Sequence, residues 1–506
     1  MRIWFWLAIL VFRWWNALWV KTFFQPDEFY QSLEVAHHFI FRYGFLTWEW
    51  TSAIRSALHP LIFAALYRVL QVLKLDSSYF VFTNAPKLLQ GTFAAILDYG
   101  TYKFALVRYG SKTANWTLAC SLVSIMNAYV GVRTFSNSLE TTLTSIGFYY
   151  FSYYLKYENS SPEQRKKAYS SLLGFISVAA FACFIRPTNI LVWIFPLLFW
   201  NKNPQTPIKD LLSFSNVFNR FRFLYALGYG RLFGIFVLCV SLFLVNIIAD
   251  RILYGRFVFP IISFFQFNVT SGLSSLYGLN AWHYYLSQAL PLICGGFLPF
   301  VLLTMDLQTA GTILCVFFPY SLIGHKELRF VYPISPILLT LAGKFFSSFS
   351  SWKRAARFFF LIGLGHALVI TFLCRFHQFG VMEVMPLIHS LAEKNQTGLI
   401  LAPCHTTPWQ SHIHSPFAEN GWKFLTCEPF EKPFDETDRF YENMPTFLDK
   451  IKEWPDYLIF FEERFYSLYS YLDSRGLKYE EVQRYYNSLI PESRERAGAL
   501  LVYKKL

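Results

Sequence analysis

Apolar stretches of about twenty residues, the length a helix needs to cross hydrocarbon, recur along this chain with short polar breaks between them. They cover 3–20, 86–107, 114–131, 138–155, 169–185, 188–200, 231–249, 287–304, 306–323, 328–347 and 357–374. The pattern predicts a polytopic α-helical membrane protein with about eleven transmembrane helices. A further apolar stretch, 57–73, is also long enough to be counted. Parity decides against a crossing there. The short basic connections 156–168, 201–223 (which includes Arg220 and Arg222) and 352–357 belong in the cytosol by the positive-inside rule. With a cytosolic N-terminus, that holds only if 57–73 lies along the lumenal leaflet as an interfacial helix. The lumenal loops are then 21–85, 132–137, 186–189, 250–286 and 324–327, together with the tail from about residue 376.

In that tail the pattern changes to short apolar runs, such as Leu399-Ile400-Leu401 and Tyr457-Leu458-Ile459-Phe460-Phe461, set in charged and aromatic surroundings. Those runs suit buried strands with helices between them. The expected organisation is a transmembrane catalytic domain over 1–375, with a first lumenal loop at 21–85 and a second large one at 250–286. A C-terminal lumenal α/β domain follows over 376–506.

Composition agrees with the membrane reading. Hydrophobic residues make up 54% and charged residues 15% of the 506, against roughly 25% charged in soluble domains. The formal charge of +13 is spread over short connections, unlike the continuous basic stripe of a nucleic-acid face. No nucleic-acid partner is expected, whereas phosphate-bearing lipids suit that charge. The first span lacks an A-x-A-like cleavage site and holds Arg13, so it reads as an uncleaved signal anchor. No zinc-type cysteine spacing occurs and no metal is expected. Cys404 and Cys427 lie in the polar tail and are placed to pair if that tail is in an oxidising lumen. Asn268 and Asn395 head lumenal sequons.

Three polar groups carry candidate chemistry. Pro26-Asp27-Glu28 puts two carboxylates just past the first span, where acids are costly unless they face water or a polar cavity. Adjacent residues point different ways, so one of the two enters a cavity. The other reading is a solvated helix start. Arg133-Thr134-Phe135-Ser136-Asn137-Ser138-Leu139-Glu140 can bind sugar hydroxyls or a phosphate, or simply cap the helix that follows. His325-Lys326-Glu327-Leu328-Arg329 crowds four ionisable groups into a tight turn between apolar runs. It suits phosphate, or else neutralises itself. Arg186-Pro187-Thr188-Asn189 is a weaker signal, because Arg-Pro at a helix break is common.

Together, Pro26-Asp27-Glu28, Arg133-Thr134-x-Ser136-Asn137-x-x-Glu140 and His325-Lys326-Glu327-x-Arg329-Phe330 resemble glycosyltransferase family 22, the endoplasmic-reticulum mannosyltransferases with a GT-C fold. Gln31-Ser32-Leu33-Glu34-Val35-Ala36-His37, Tyr43 to Trp50, Pro403-Cys404-His405-Thr406-Thr407-Pro408 and Asp435 to Tyr441 bring the likeness closest to one branch. That branch adds the third mannose of the glycosylphosphatidylinositol (GPI) core in α1,2 linkage. One departure is Gln25, where the family often has His. The resemblance implies dolichyl-phosphate mannose as donor, a GPI precursor as acceptor, membrane lipids as partners and no cofactor. It implies Asp27 as general base with Glu28 in support. Arg133, Asn137, Glu140, His325, Lys326, Glu327 and Arg329 would serve the donor phosphate and the substrate. Protein partners are not implied. The competing readings are a mannosyltransferase of the lipid-linked N-glycan precursor, a polytopic lipid transporter and a non-catalytic subunit. A transporter would want an inverted repeat, and none is found.

Overall fold

A computed structural model describes residues 3–211, 228–271, 278–428, 431 and 434–506. Arg220 and Arg222 of the predicted basic connection lie outside the described residues. The chain forms two compact units.

The first unit comprises 1–17, 52–61 and 87–370 and is helical. Among the described residues, five helical segments are long and apolar enough to cross a membrane: Pro162–Ile185, Tyr229–Tyr254, Tyr285–Thr304, Leu328–Ser348 and Trp352–Arg375. Shorter apolar helices occupy Ile3–Trp19, Leu58–Val72, Pro187–Phe199 and Leu307–Leu322. The expectation of about eleven equivalent spans therefore meets a more uneven set. Helices Tyr79–Tyr109 and Ser136–Tyr157 stand where 86–107 and 138–155 were predicted, yet both are rich in polar residues. Asp98, Thr101, Asn137, Glu140, Thr141 and Thr144 are buried, so that polarity faces protein rather than lipid. The predicted span 114–131 breaks into Ser111–Leu122 and Ile125–Tyr129, because Ser124 caps the second piece by accepting the Asn127 N–H.

The anchor of this unit is a buried ion pair. Arg13 Nε lies 2.6 Å from Asp98, and its other nitrogens donate to Asn16 Oδ1 and the Ser121 carbonyl. Asn127 joins through Ser121 Oγ, and Tyr332 donates to Asn127 Oδ1 at 2.8 Å. A charge in an apolar bundle persists only when paired and hydrogen-bonded in this way. On the outside, Phe233, Phe236, Ile248, Phe360, Leu364 and Leu368 are exposed along Tyr229–Tyr254 and Trp352–Arg375. An apolar surface of that length suits hydrocarbon and not water.

The second unit comprises 18–51, 62–86 and 371–506. Its sheet has the order β2-β1-β3-β5-β4, with β1 Gly398–Leu401, β2 Trp422–Phe424, β3 Tyr457–Phe461, β4 Tyr479–Tyr485 and β5 Leu500–Lys505. β1 runs parallel to β2 and β3, while β5 is antiparallel to β3 and β4. The predicted runs 399–401 and 457–461 are the two central parallel strands, and all five residues of β3 are buried. Leu401, Leu458, Phe460, Leu468, Leu501 and Tyr503 share the core on one face.

Most of the predicted first loop, 21–85, belongs to the same compact unit as the tail. The cause is a buried carboxylate. Glu34 accepts hydrogen bonds from the Trp409 and Ser411 backbone amides, at 2.8 and 3.2 Å, and from Ser411 Oγ at 2.5 Å. His37 Nε2 meets His414 Nδ1 at 3.0 Å, and Tyr30 donates to the Thr407 carbonyl at 3.1 Å.

Candidate active site

Pro26 opens a helical turn whose carbonyl accepts the Phe29 and Tyr30 amides, each at 2.9 Å. The turn continues as a π-helical segment, Phe29–Leu33, into the helix Glu34–Phe41. Single π turns recur at functional positions because they re-aim neighbouring side chains. Glu28 is buried while Asp27 keeps partial exposure, so the two adjacent acids do face different surroundings. At a helix start, a carboxylate also faces the positive end of the backbone dipole. Beside this turn, Gln25 Oε1 is sealed from solvent without a hydrogen-bond partner.

In the first unit, Glu140 is the hub of one polar group. Its carboxylate lies 3.4 Å from Arg186 Nε and accepts the Asn189 amide at 2.9 Å and the Asn137 amide at 3.4 Å. Arg186 also donates to Ser136 Oγ at 3.3 Å and stacks over Phe330 at 5.3 Å. Asn189 in turn accepts from Trp193 Nε1, which locks its orientation. Arg133 is aimed elsewhere: Nε donates to the Tyr129 carbonyl at 2.9 Å and the guanidinium lies over the Tyr129 ring.

The 325–329 turn forms a second group. Glu327 accepts from His325 Nε2 at 3.0 Å and is gripped by Arg329 through Nε and Nη2. Burial alone would push the Glu327 carboxyl up. The Arg329 charge and the hydrogen bonds from His325 and Arg329 outweigh it and hold the group below the ordinary carboxylate range. Lys326, expected at the phosphate, instead donates to the carbonyls of Ile323 at 2.5 Å and Asn280 at 2.9 Å. Those bonds satisfy carbonyls of a tight turn, which is why the ammonium is buried there.

Sequence reasoning gave Arg186 little weight and passed over Arg55. Both line a narrow cleft, open at its mouth, with Ile54, Ser56, Ile185, Pro187, Pro260, Ile261 and Phe264. The end of helix Tyr229–Tyr254 holds the Arg55 segment in place. Asp250 accepts the Ala57 amide at 2.7 Å and Ser56 Oγ at 3.2 Å, and Tyr254 donates to the Arg55 carbonyl at 2.6 Å. Two partners of Asp250, Ser56 and Ala57, lie about 190 positions away in sequence, and Asn246 joins them from its own helix. Arg55 and Arg329 are both electrostatic neighbours of Arg186. Three guanidiniums, Arg55, Arg186 and Arg329, thus share this part of the unit with three carboxylates, Glu140, Glu327 and Asp250. The apolar wall at 260–264 suits an attached hydrocarbon.

Cys404 and Cys427 are joined as a disulfide, with Cα atoms 5.8 Å apart. Asn395 is exposed in a left-handed turn residue with φ +54°. Asn268 lies in a helical turn, and its amide donates to the Phe264 carbonyl at 3.0 Å.

The architecture is that of the GT-C membrane glycosyltransferases. The structure of ArnT from Cupriavidus metallidurans bound to undecaprenyl phosphate aligns over 99% of this chain and 97% of that one, with a TM-score of 0.59 at 12% identity. Residues 4–414 match the model of the Alg9-like mannosyltransferase family, and the chain belongs to that family. It is 35% identical to GPI mannosyltransferase 3 of Candida albicans, over 98% of this chain and 96% of the relative. Against GPI alpha-1,2-mannosyltransferase 3 of Homo sapiens the identity is 32%, over 97% and 85% of the two chains.

Proposed function

We propose that this chain moves mannose from dolichyl-phosphate mannose to the 2-hydroxyl of the second mannose of the GPI-anchor precursor, forming the α1,2 linkage of the third mannose. Similarity along nearly the whole chain to relatives named GPI mannosyltransferase 3 and GPI alpha-1,2-mannosyltransferase 3 supports a GPI acceptor and an α1,2 linkage. The arginine-lined cleft with its apolar wall supports a lipid phosphate as the leaving group.

The reaction is a single displacement. Asp27 takes the proton of the acceptor hydroxyl as its oxygen attacks C1 of mannose, a role worth typically 10²–10⁴-fold. The C1–O bond to phosphate breaks with its electron pair, and the β-linked donor becomes an α-linked product. Dolichyl phosphate leaves with one more negative charge than it had in the diester. Arg55 and Arg186, which line one cleft, with Arg329 as their neighbour, would stabilise that growing charge. This assignment replaces Lys326, which is occupied by backbone carbonyls. The work takes place at the endoplasmic-reticulum membrane, with 21–51 and the tail in the lumen.

The test is expression of the wild type and Asp27→Asn at matched levels in cells lacking the third GPI mannosyltransferase, followed by profiling of labelled GPI lipids. Wild type should consume the two-mannose intermediate and the variant should leave it accumulated. If both consume it, Asp27 is not the base. If neither does, with normal expression and location, the acceptor is wrong.

A further inference from the structure

The tail begins where a membrane-crossing helix ends. Trp352–Arg375 has 24 residues, which rise about 36 Å against a hydrocarbon core of about 30 Å. Its last residue therefore reaches the headgroup layer, roughly 5–7 Å deep on each face. The helical turn continues past it, since the amides of Phe376 and His377 both donate to the Phe372 carbonyl, at 3.0 and 3.1 Å.

The chain returns to this level after β4. Beyond Tyr485 an irregular segment is tied to 377–380. The Phe379 amide donates to the Asn487 carbonyl at 2.9 Å. His377 Nδ1 lies 2.9 Å from Ser488 Oγ, whose own proton goes to the Ile490 carbonyl at 2.7 Å. The hydroxyl has one proton to give, so it accepts the imidazole N–H. A Cβ on Gly380 would come within 2.8 Å of the Tyr486 carbonyl oxygen, so the two backbones touch. Ser488 is thus held by a residue two positions beyond Arg375, about 3 Å of helical rise and well inside the headgroup layer.

What this segment turns outward is apolar. Leu489 is 73% exposed, Ile490 63% and Tyr486 51%, and Phe376 at the helix end is 52% exposed. Exposed apolar side chains gathered in one tied segment mark a contact surface. Its continuity says with what. Leu364, Leu368, Phe372 and Phe376 recur every fourth residue, one face of a helix. Leu364 and Leu368 belong to the exposed apolar face of the span, so the patch extends a lipid-facing stripe. A tyrosine among aliphatic side chains at the level where a span ends is also the composition of an interfacial belt.

We propose that Tyr486, Leu489 and Ile490, with Phe376, form an interfacial anchor that beds the tail in the headgroup layer of the membrane. The same helix end holds the segment that leads to Asp27. The Lys21 amide donates to the Cys374 carbonyl at 2.9 Å, and the Phe23 amide to the Gln378 carbonyl at 3.0 Å. Thr22 Oγ1 donates to the Leu373 carbonyl at 2.7 Å. The anchor and the strand entering the Pro26 turn are therefore fixed to one helix end, at the level of the lipid headgroups. The inference rests on Trp352–Arg375 crossing the bilayer and not on the proposed reaction.

The test places a nitroxide spin label on the full-length chain in phosphatidylcholine nanodiscs. The background is Cys183→Ser/Cys239→Ser/Cys315→Ser, with the Cys404–Cys427 disulfide kept. Labels go on Leu489→Cys and, as a second site, Ile490→Cys. Phe360→Cys, exposed midway along the span, is the lipid reference. Glu480→Cys, exposed at the opposite end of β4, is the water reference. Power saturation compares collisions with oxygen, which concentrates in lipid, and with a nickel chelate, which stays in water. The oxygen-to-nickel ratio at 489 and 490 should be several times that at 480 and below that at 360. Unfolding temperatures should match that of the unlabelled background, because these side chains are exposed.

A ratio at 489 and 490 equal to that at 480 puts the loop in water and overturns the anchor. Shielding from both reagents also overturns it, because the patch is then covered by protein, a partner or a second copy. Lipid-like readings that need anionic lipid in the nanodisc would replace the apolar anchor by a basic headgroup contact. If the label at 360 reads as water, the crossing of Trp352–Arg375 and the anchor fall together.

Discussion

A carboxylate that accepts two backbone amides and a hydroxyl is ordinarily held ionised. At Glu34 burial outweighs the bonds from Ser411, Trp409 and Gln410 and raises the group to about 7. In the folded chain Glu34 therefore keeps its proton at pH values where an unfolded carboxyl has lost it. Its contribution to stability is fully present below about 4.5 and is lost as pH rises toward 7. His37, His405 and His414 are depressed by burial, so they act with the opposite sign over the same acidic window. The quantity to measure is thus the difference between Glu34→Gln and wild type. Thermal unfolding between pH 5 and 7 should show the wild type losing ground to the variant as pH rises. A constant difference would mean that Glu34 is ionised throughout. Residue chemistry of this kind was hidden in the sequence: Glu34 was visible only within a family string, because its partners lie some 375 positions away.

Helices in the first unit meet where side chains are small, as expected when lipid supplies no hydrophobic drive for helix association. A Cβ on Gly343 would come within 2.3 Å of Thr117 Oγ1 and 2.6 Å of its backbone nitrogen, so helices Ser111–Leu122 and Ser335–Ser348 touch backbone to side chain there. Backbone cannot yield as a flexible side chain does. Gly343→Ala should therefore destabilise the protein by about 1–3 kcal/mol. Gly363, on Trp352–Arg375, has open space around its missing Cβ. Gly363→Ala should be neutral or stabilise by about 0.4–1 kcal/mol. Unfolding of the two variants in the same detergent checks the pair, and a shared sign would contradict the packing described. At this scale the sequence predicted helices by apolar run. It missed the breaks at 123–124 and 295–297, where local capping and glycine backbone decide.

For the whole molecule, the two sequons offer a readout of sidedness. Asn395 is exposed in a turn, whereas the Asn268 amide is tied to the Phe264 carbonyl within a helical turn. If the tail is lumenal, the expressed protein should carry a single glycan that endoglycosidase removes. Asn395→Gln should abolish the mobility shift and Asn268→Gln should leave it unchanged. Loss of no glycan in Asn395→Gln would place the tail in the cytosol or the sugar elsewhere.

The chain's own pattern determined that this is a membrane-embedded helical protein with an α/β tail, because the lengths of apolar runs, long for spans and short for buried strands, are local properties. It also marked Asp27, Glu140, Glu327 and Arg329, since charges beside hydrocarbon stand out in any linear reading. Only the tertiary structure decided which charges are already spent. Lys326 is taken up by carbonyls, Arg133 by the Tyr129 carbonyl and ring, and Arg186 by Glu140 and Ser136 at the edge of the cleft it lines with Arg55. It also joined the segment 21–51 to the tail through Glu34 and Tyr30. Those outcomes depend on which distant segments supply a buried charge with its partners, and nothing in the spacing of residues along one chain encodes that choice directly.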